Sequence, residues 1–150
     1  QWRGPSSNGV ASGGTPPVAW SEERNVRFKR EIPGRGSSTP IVWEDRIYLT
    51  TAVPTGERVA APKKPVPTTR GWRPPTTNST HAHQFLVLAL DRKTGETIWQ
   101  QSVQQALPHE GTHKFGSFAA GSAITDGDFV WAFFGSRGLY CLDRDGNVMW

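Results

Sequence analysis

The sequence predicts an all-β protein made of repeated units of about four strands each. A strand–turn–strand motif occurs twice, at residues 89–99 and, slightly shortened, at residues 141–150. A second pair of matching segments, 39–48 and 122–131, lies upstream of the two motifs. Removing the insertions between these segments leaves a repeat of about 40 residues, which is in the range of β-propeller blades. No segment has the apolar period of a helix, so we expect essentially no helix.

Four strands, named A to D, can be assigned in the first unit. Strands A and B are the short β-branched and aromatic runs 41–43 and 47–51, separated by the polar pair Glu44 and Asp45. The continuous apolar run 85–90 predicts a strand C that is covered on both faces, and the alternating run 96–101 predicts a half-exposed strand D. In the second unit, strands are expected near 121–125, 129–134 and 138–142, and from 147 onwards.

The turn between strands C and D has an aspartate and a glycine in both motifs. Gly95 and Gly146 supply a residue that tolerates positive φ without steric cost. Asp91 and Asp143 can accept hydrogen bonds from the backbone N–H groups of the turn and so fix its shape. We interpret these four residues as structural rather than catalytic.

A large aromatic ring ends strand D in each unit. Trp99 and Trp150 hold this position, and Phe28 holds the matching position upstream of the first unit. Such a ring can cover the turn of a neighbouring unit, which removes roughly 150–250 Å² from water. At about 25 cal/mol per Å², burial of this size stabilises each junction by several kcal/mol at most. We therefore predict that these rings hold neighbouring units together.

The motif resembles the tryptophan-docking motif of the pyrroloquinoline-quinone (PQQ) repeat propellers. The matching residues are Ala89, Asp91, Thr94, Gly95 and Trp99. The second copy departs from the pattern, because Cys141 replaces the alanine, the threonine is absent and the turn is shorter. Residues 2–10, 32–40 and 125–141 are also similar to a group of secreted bacterial PQQ-like propeller proteins. The resemblance implies a periplasmic or secreted bacterial protein and covers nearly all of the chain except 53–84.

We expect the chain to be the N-terminal part of a single propeller domain. A closed propeller needs about 4–8 blades, whereas this sequence supplies about two blades and one closing strand. The remaining blades of the same propeller are then its first partners, and the chain alone is expected to fold poorly or to aggregate. The expected parts are an N-terminal extension (1–24), an orphan outer strand (25–31), one blade (39–102) with an insertion (53–84), and the next blade (120–150).

The insertion 53–84 carries the net positive charge of the chain. Its charged residues are Arg58, Lys63, Lys64, Arg70 and Arg73 against Glu57. It is rich in proline and threonine and has no core pattern, which predicts an extended, solvated loop. A lid or an arm for anionic ligands is the functional alternative. Nucleic acid is not an expected partner, because prolines interrupt the few charges, and no apolar run is long enough to span a membrane.

Candidate ligand-binding residues gather on one face of the predicted blades. The A–B and C–D turns are tight and share a face, so the long B–C and D–A loops lie on the opposite one, where function is usually found. We call it the loop face, and no catalytic residue is assigned there. Its candidates are Arg35, His81, His83, His109, Glu110, His113, Lys114 and Arg137.

Three interpretations of these candidates remain open. His81 and His83 can lie on the same side of a strand, and His109 and His113 offer a second ligand spacing, as metal sites require. The second pair lies in a loop rather than on a helix, and we predict no metal site. The candidates are otherwise polar loop residues bonded to backbone, or they bind a polar or anionic ligand, for which arginine is well suited.

The resemblance implies an extracytoplasmic binding or scaffold module for a protein partner or a small polar or anionic molecule. It extends to outer-membrane assembly lipoproteins, which use this fold for protein contacts without a cofactor. The alternative is a PQQ- and Ca²⁺-dependent quinoprotein dehydrogenase that oxidises an alcohol or a sugar, with catalytic residues beyond residue 150. No cofactor is certain, and PQQ with calcium is possible under this alternative. A carbohydrate-binding propeller is a third option, because the aromatic content is high.

Overall fold

A computed structural model describes residues 3, 6–10, 13–59, 76–77 and 79–150 of the chain. The described part contains β-strands and a single three-residue 3₁₀ turn, Gly135–Arg137. The strands are β1 (Ile41–Trp43), β2 (Arg46–Arg58), β3 (Thr76–Thr77), β4 (His81–Asp91), β5 (Thr97–Ala106), β6 (Thr112–His113), β7 (Ile124–Thr125), β8 (Phe129–Phe133) and β9 (Leu139–Asp143). The predicted all-β fold class is confirmed.

The first blade is a four-stranded antiparallel sheet in the order β1-β2-β4-β5, which corresponds to strands A to D. Its two central strands are longer than the sequence indicates. Strand β2 continues to Arg58 and β4 begins at His81, and these two residues still pair with each other. The ends of the expected loop 53–84 are therefore strand, because backbone pairing does not require a core pattern. Its basic residues Lys63, Lys64, Arg70 and Arg73 lie outside the described residues.

The second blade is a three-stranded antiparallel sheet in the order β7-β8-β9. The strand D expected from residue 147 is reduced to a single bridge between Leu142 and Val148. Residues 147–150 nevertheless follow β9, since Met149 N–H donates to the Cys141 carbonyl at 2.8 Å. The two antiparallel sheets are consistent with two partial propeller blades.

Residues 25–31, the expected orphan strand, form no strand. Strand structure needs a neighbouring strand for its hydrogen bonds, and no described residue supplies one there. Phe28 nevertheless lies against the C–D turn of the first blade. A Cβ placed on Gly95 would be 2.3 Å from Phe28 Cδ2, so only a glycine allows this ring to come so close.

Aromatic rings also cover glycines between the two blades. Trp99 lies on Gly146, where an added Cβ would be 2.8 Å from Trp99 Cδ2, and its Nε1–H donates to the Arg144 carbonyl at 2.9 Å. Trp43 lies on Gly127 in the same way, with a corresponding separation of 2.7 Å from Nε1. The same relation thus occurs at two positions along the blade contact.

The core lies between the two sheets. It is formed by buried apolar side chains of both blades, namely Ile41, Tyr48, Ala52, Phe85, Val87, Ala89, Ala119, Ala123, Val130, Ala132, Phe134 and Leu142. Strand β4 contributes its odd-numbered residues to this core, and the alternate residues Leu86, Leu88 and Leu90 are buried as well. Strand C is therefore covered on both faces, as its continuous apolar run predicts.

The outer face of the second blade is apolar and open. Phe133 is 52% exposed, Ile124 is 54% exposed and the ring of Trp150 is 61% exposed. Two blades do not close a ring, so other blades must complete the propeller. We refer to the chain together with those blades as the completed propeller. Within the described residues, no helix has the length and apolarity needed to cross a membrane.

The ring-on-glycine contact predicts a specific cost for Gly146→Ala. Gly146 has φ +89°, and its new Cβ would overlap Trp99, so we expect the completed propeller to lose about 1–3 kcal/mol in the free energy of unfolding. Gly135→Ala is the control, because Gly135 has φ +60° but nothing within 4 Å of its added Cβ. Chemical denaturation should show a larger loss for Gly146→Ala; equal losses would contradict a role for the ring.

The open apolar face predicts that the 150-residue chain by itself aggregates or unfolds without cooperativity. Size-exclusion chromatography and a thermal melt of the chain, produced without further blades, test this expectation. A monomer with a cooperative melt would show that two blades suffice for folding.

Candidate functional site

Three chain segments meet on the loop face. They are residues 33–38 before β1, residues 79–83 at the start of β4, and the D–A loop 107–121 between the blades. The short pairing of β3 with β6 ties the insertion to the D–A loop. Two clefts open on this face, and seven of the eight candidate residues line them.

The first cleft, which we call the cationic cleft, has a volume of about 420 Å³. It brings together Arg35, His83, His113 and Lys114, four of the eight candidate residues. The described residues that line it are Arg35, Ala52, Pro54, Ser79, His83, Thr112, His113, Lys114, Gly116, Ser117 and Phe118. No aspartate or glutamate is among these residues, so the charge of the cleft is positive.

The backbone of Arg35 is fixed by two hydrogen bonds to β2. Its N–H and C=O groups pair with Ala52 at the edge of β2, at 3.0 Å and 3.2 Å. This approach depends on Gly34, because a Cβ there would be 2.5 Å from the Ala52 carbonyl oxygen. The Arg35 Nη2–H donates to the Lys114 carbonyl at 3.0 Å. A guanidinium has five N–H donors, so Arg35 keeps donors for a ligand.

His83 is the buried member of the cationic cleft, with an exposed fraction of 8%. Its ring meets Phe118 edge to face, with a centroid separation of 4.8 Å. Burial lowers the pKa of His83, while the hydrogen bond to the His81 carbonyl partly opposes this change. The imidazole is therefore neutral at neutral pH.

Lys114 and His113 lie at the open side of the cleft and are exposed. The Lys114 ammonium stands 4.7 Å from the centroid of the Phe115 ring, a cation–π distance. The His113 Nδ1 accepts from the Phe115 N–H at 3.3 Å, which leaves its Nε2 as the proton-bearing atom of the neutral ring. Both side chains thus present donors towards solvent and a ligand.

The second cleft, the aromatic cleft, has a volume of about 440 Å³ and contains His109, Glu110 and Arg137. It also contains Phe85, Phe118, Phe133 and Phe134. His109 Nδ1 lies 3.1 Å from the Ser136 hydroxyl, and the Arg137 guanidinium donates to the Leu107 carbonyl. These bonds join the second blade to the D–A loop.

His81, the eighth candidate, lines neither cleft. Its ring is exposed and its Nδ1 lies 3.2 Å from the Thr80 hydroxyl. The D–A loop side chains Thr112, Ser117 and Phe118 line both clefts and so divide the loop face. Sequence reasoning did not single out these three residues; the one available signal was an apolar Phe118 within a polar loop.

Among the described residues, no group of three His, Cys, Asp or Glu side chains is arranged around a common point. Calcium requires six to eight oxygen ligands, usually with carboxylates. The cationic cleft offers no carboxylate, so it does not fit the calcium site of a quinoprotein dehydrogenase.

The docking residues lie away from both clefts. Asp91 Oδ1 accepts from the N–H groups of Lys93 and Thr94 at 2.7 Å and 2.8 Å, and Asp143 Oδ1 accepts from Asn147 N–H at 2.8 Å. The Thr94 and Lys93 N–H groups lower the pKa of Asp91, and the pKa of Asp143 is lowered chiefly by the Asn147 side-chain amide, which donates to Asp143 Oδ2 at 2.8 Å. The carboxylates are therefore occupied in fixing turns.

The buried His83 predicts a pH dependence of stability. The unfolded chain takes up this proton near the ordinary value of 6.5, whereas the folded protein takes it up only at lower pH. The contribution is therefore present above pH 6.5 and is lost as the pH falls from there towards the folded pKa. Denaturation of the completed propeller between about pH 7.5 and about pH 5.5 should show this loss, and His83→Phe should reduce it. The exposed His109→Gln serves as the control; an unchanged slope in His83→Phe would contradict the assignment.

The repeat is similar to a known family of repeat proteins. Residues 83–150 match a PQQ-repeat family model described as outer membrane protein assembly factor BamB. No curated protein matches the chain. The matched part begins in β4 and includes both C–D turns and both docking residues Trp99 and Trp150. Over residues 83–150, the chain is therefore similar to the PQQ-like repeat family.

Proposed function

We propose that the chain forms part of an extracytoplasmic PQQ-like propeller that acts as a binding module, and that its cationic cleft holds a small carboxylate ligand. The observation that carries the proposal is the convergence of Arg35, His113 and Lys114 in a cleft whose lining contains no acidic residue. Three separate chain segments supply the polar groups, as expected of a site built on loops.

The cleft suits a small anion in size and in chemistry. Its volume of about 420 Å³ is within the range of small-molecule sites. Arg35 offers a planar donor group for a carboxylate, and Lys114 adds a mobile point charge at the open side. Phe118 and Pro54 provide apolar contact for the carbon skeleton of a ligand.

The family description supports the proposed location and the module character. The matching family is described as an outer membrane protein assembly factor, and the docking motif resembles that of secreted propellers. In the aromatic cleft, His109 and Arg137 are engaged in holding the D–A loop. This arrangement favours a scaffold that positions a binding cleft over one that performs chemistry.

Binding of succinate to the completed propeller tests the proposal by calorimetry. We expect saturable binding that weakens as salt is added, because the attraction is between solvent-exposed charges. Lys114→Gln should weaken the affinity by about 5- to 10-fold, since it removes one charge-assisted hydrogen bond.

Lys93→Gln is the matched control, because Lys93 is exposed in the C–D turn and lines neither cleft. It makes the same change in net charge and should leave the affinity unchanged. Equal effects of the two substitutions, or no succinate binding at all, would refute the cationic cleft as a carboxylate site. Dye-coupled oxidation of an alcohol or a sugar after addition of PQQ and Ca²⁺ would instead support the dehydrogenase alternative.

A further inference from the structure

We propose that the ligand of the cationic cleft is a hydroxycarboxylate, whose carboxylate is bound by Arg35 and Lys114 and whose hydroxyl donates to His83 Nε2. This inference rests on the proposed function and names the ligand class of the same cleft. It follows from the hydrogen bonds that the polar atoms of the lining already make. The donor or acceptor character of the remaining atoms then decides which ligand group fits.

The tautomer of His83 is fixed by one hydrogen bond. Its Nδ1 lies 2.9 Å from the His81 carbonyl oxygen. A carbonyl can only accept, so Nδ1 must carry the proton. In the neutral ring, Nε2 then has a lone pair and is a hydrogen-bond acceptor.

The Nε2 atom is open to a ligand. It makes no hydrogen bond within the described part of the chain. Because it is absent from the fully buried polar atoms there that have no partner, it keeps some solvent-accessible surface. Of the three hydroxyls in the described lining, two donate to backbone carbonyls, and the third, that of Ser117, accepts from the Ala119 N–H at 3.3 Å. Ser79 donates to the His81 carbonyl at 2.9 Å, and Thr112 donates to the His113 carbonyl at 2.7 Å.

The cleft therefore presents charged donors together with an imidazole acceptor. Arg35 and Lys114 supply N–H groups that match a carboxylate, while His83 Nε2 needs a donor from the ligand. A ligand that carries only carboxylates leaves this acceptor without a partner. A hydroxyl near the carboxylate satisfies it.

The same charges discriminate against an amino group. An ammonium donor would have to lie beside the cations Arg35 and Lys114 and would be repelled by both. A hydroxyl donates the same hydrogen bond without a charge. Among ligands of one carbon skeleton, the cleft should thus prefer the hydroxy acid, then the unsubstituted acid, then the amino acid.

Malate, succinate and aspartate form a matched series for this test, because they differ at one carbon in OH, H and NH₃⁺. Calorimetry on the completed propeller near neutral pH should find the better malate enantiomer bound about fivefold more tightly than succinate, as one added hydrogen bond provides. Aspartate should bind more weakly than succinate.

Two variants tie the preference to His83. His83→Phe keeps a ring against Phe118 and removes the acceptor, so the malate preference should disappear while succinate binding remains. His83→Gln offers a carbonyl oxygen as acceptor and should retain part of the preference, which keeps the test informative if His83→Phe does not fold.

The outcomes separate the two proposals. Equal binding of malate and succinate to the unsubstituted protein would overturn the hydroxycarboxylate inference and leave the carboxylate site standing. A malate preference that persists unchanged in His83→Phe would also overturn it. Failure of all three acids to bind would refute the proposed function itself.

Discussion

The contact on which the structure depends is an aromatic ring lying on a glycine of the next blade. Trp99 can reach Gly146 only because that residue has no side chain and adopts a φ of +89°, a conformation that other residues rarely take. Asp143 holds the turn in this shape by accepting from its backbone N–H groups. The hydrogen bond from Trp99 Nε1 to the Arg144 carbonyl then fixes the ring in the plane of the contact. The conformation of the turn therefore matches the position of the Trp99 ring.

Charged residues reinforce this junction at the face of the tight turns. Arg144 of the second blade lies 3.1 Å from Asp45 and 3.3 Å from Glu44 of the first blade, and Arg46 donates to the Arg144 carbonyl. Exposed pairs of this kind contribute little each. They nevertheless join the A–B turn of one blade to the C–D turn of the next and so align the two turns. This face is therefore occupied by blade contacts, and the opposite face carries the two clefts.

The clefts on the loop face depend on close backbone approaches rather than on large side chains. Gly36 lies so near β2 that a Cβ would be 2.4 Å from the Thr50 carbonyl oxygen, and Ser37 N–H donates to Ala119 at 3.0 Å. These contacts bring residues 33–38 beside the D–A loop and carry Arg35 to Lys114. The fold thus brings together positive charges that are far apart in the sequence. The described lining of their cleft contains no acidic side chain.

The sequence by itself determined the features that arise within a short stretch of chain. The repeated turn, with Asp91, Gly95 and Trp99 at fixed spacing, specifies its own hydrogen bonds and conformation, so the all-β fold and strands A to C could be predicted. The location of Arg35, His109, Lys114 and Arg137 in connecting segments follows from the same strand order, whereas His81 and His83 lie in β4 and His113 lies in β6.

Tertiary structure alone decided how distant segments meet. The pairing of Arg58 with His81 extends the sheet through residues that lack a core pattern, because partner strands and not local sequence supply the hydrogen bonds. Phe118 packs against His83 and divides the candidates between two clefts, which no spacing in the sequence encodes. The same packing removes most of the His83 side chain from water, while its Nε2 makes no hydrogen bond within the described part of the chain. Burial and long-range contact, which depend on the whole fold, therefore set the chemistry of the site.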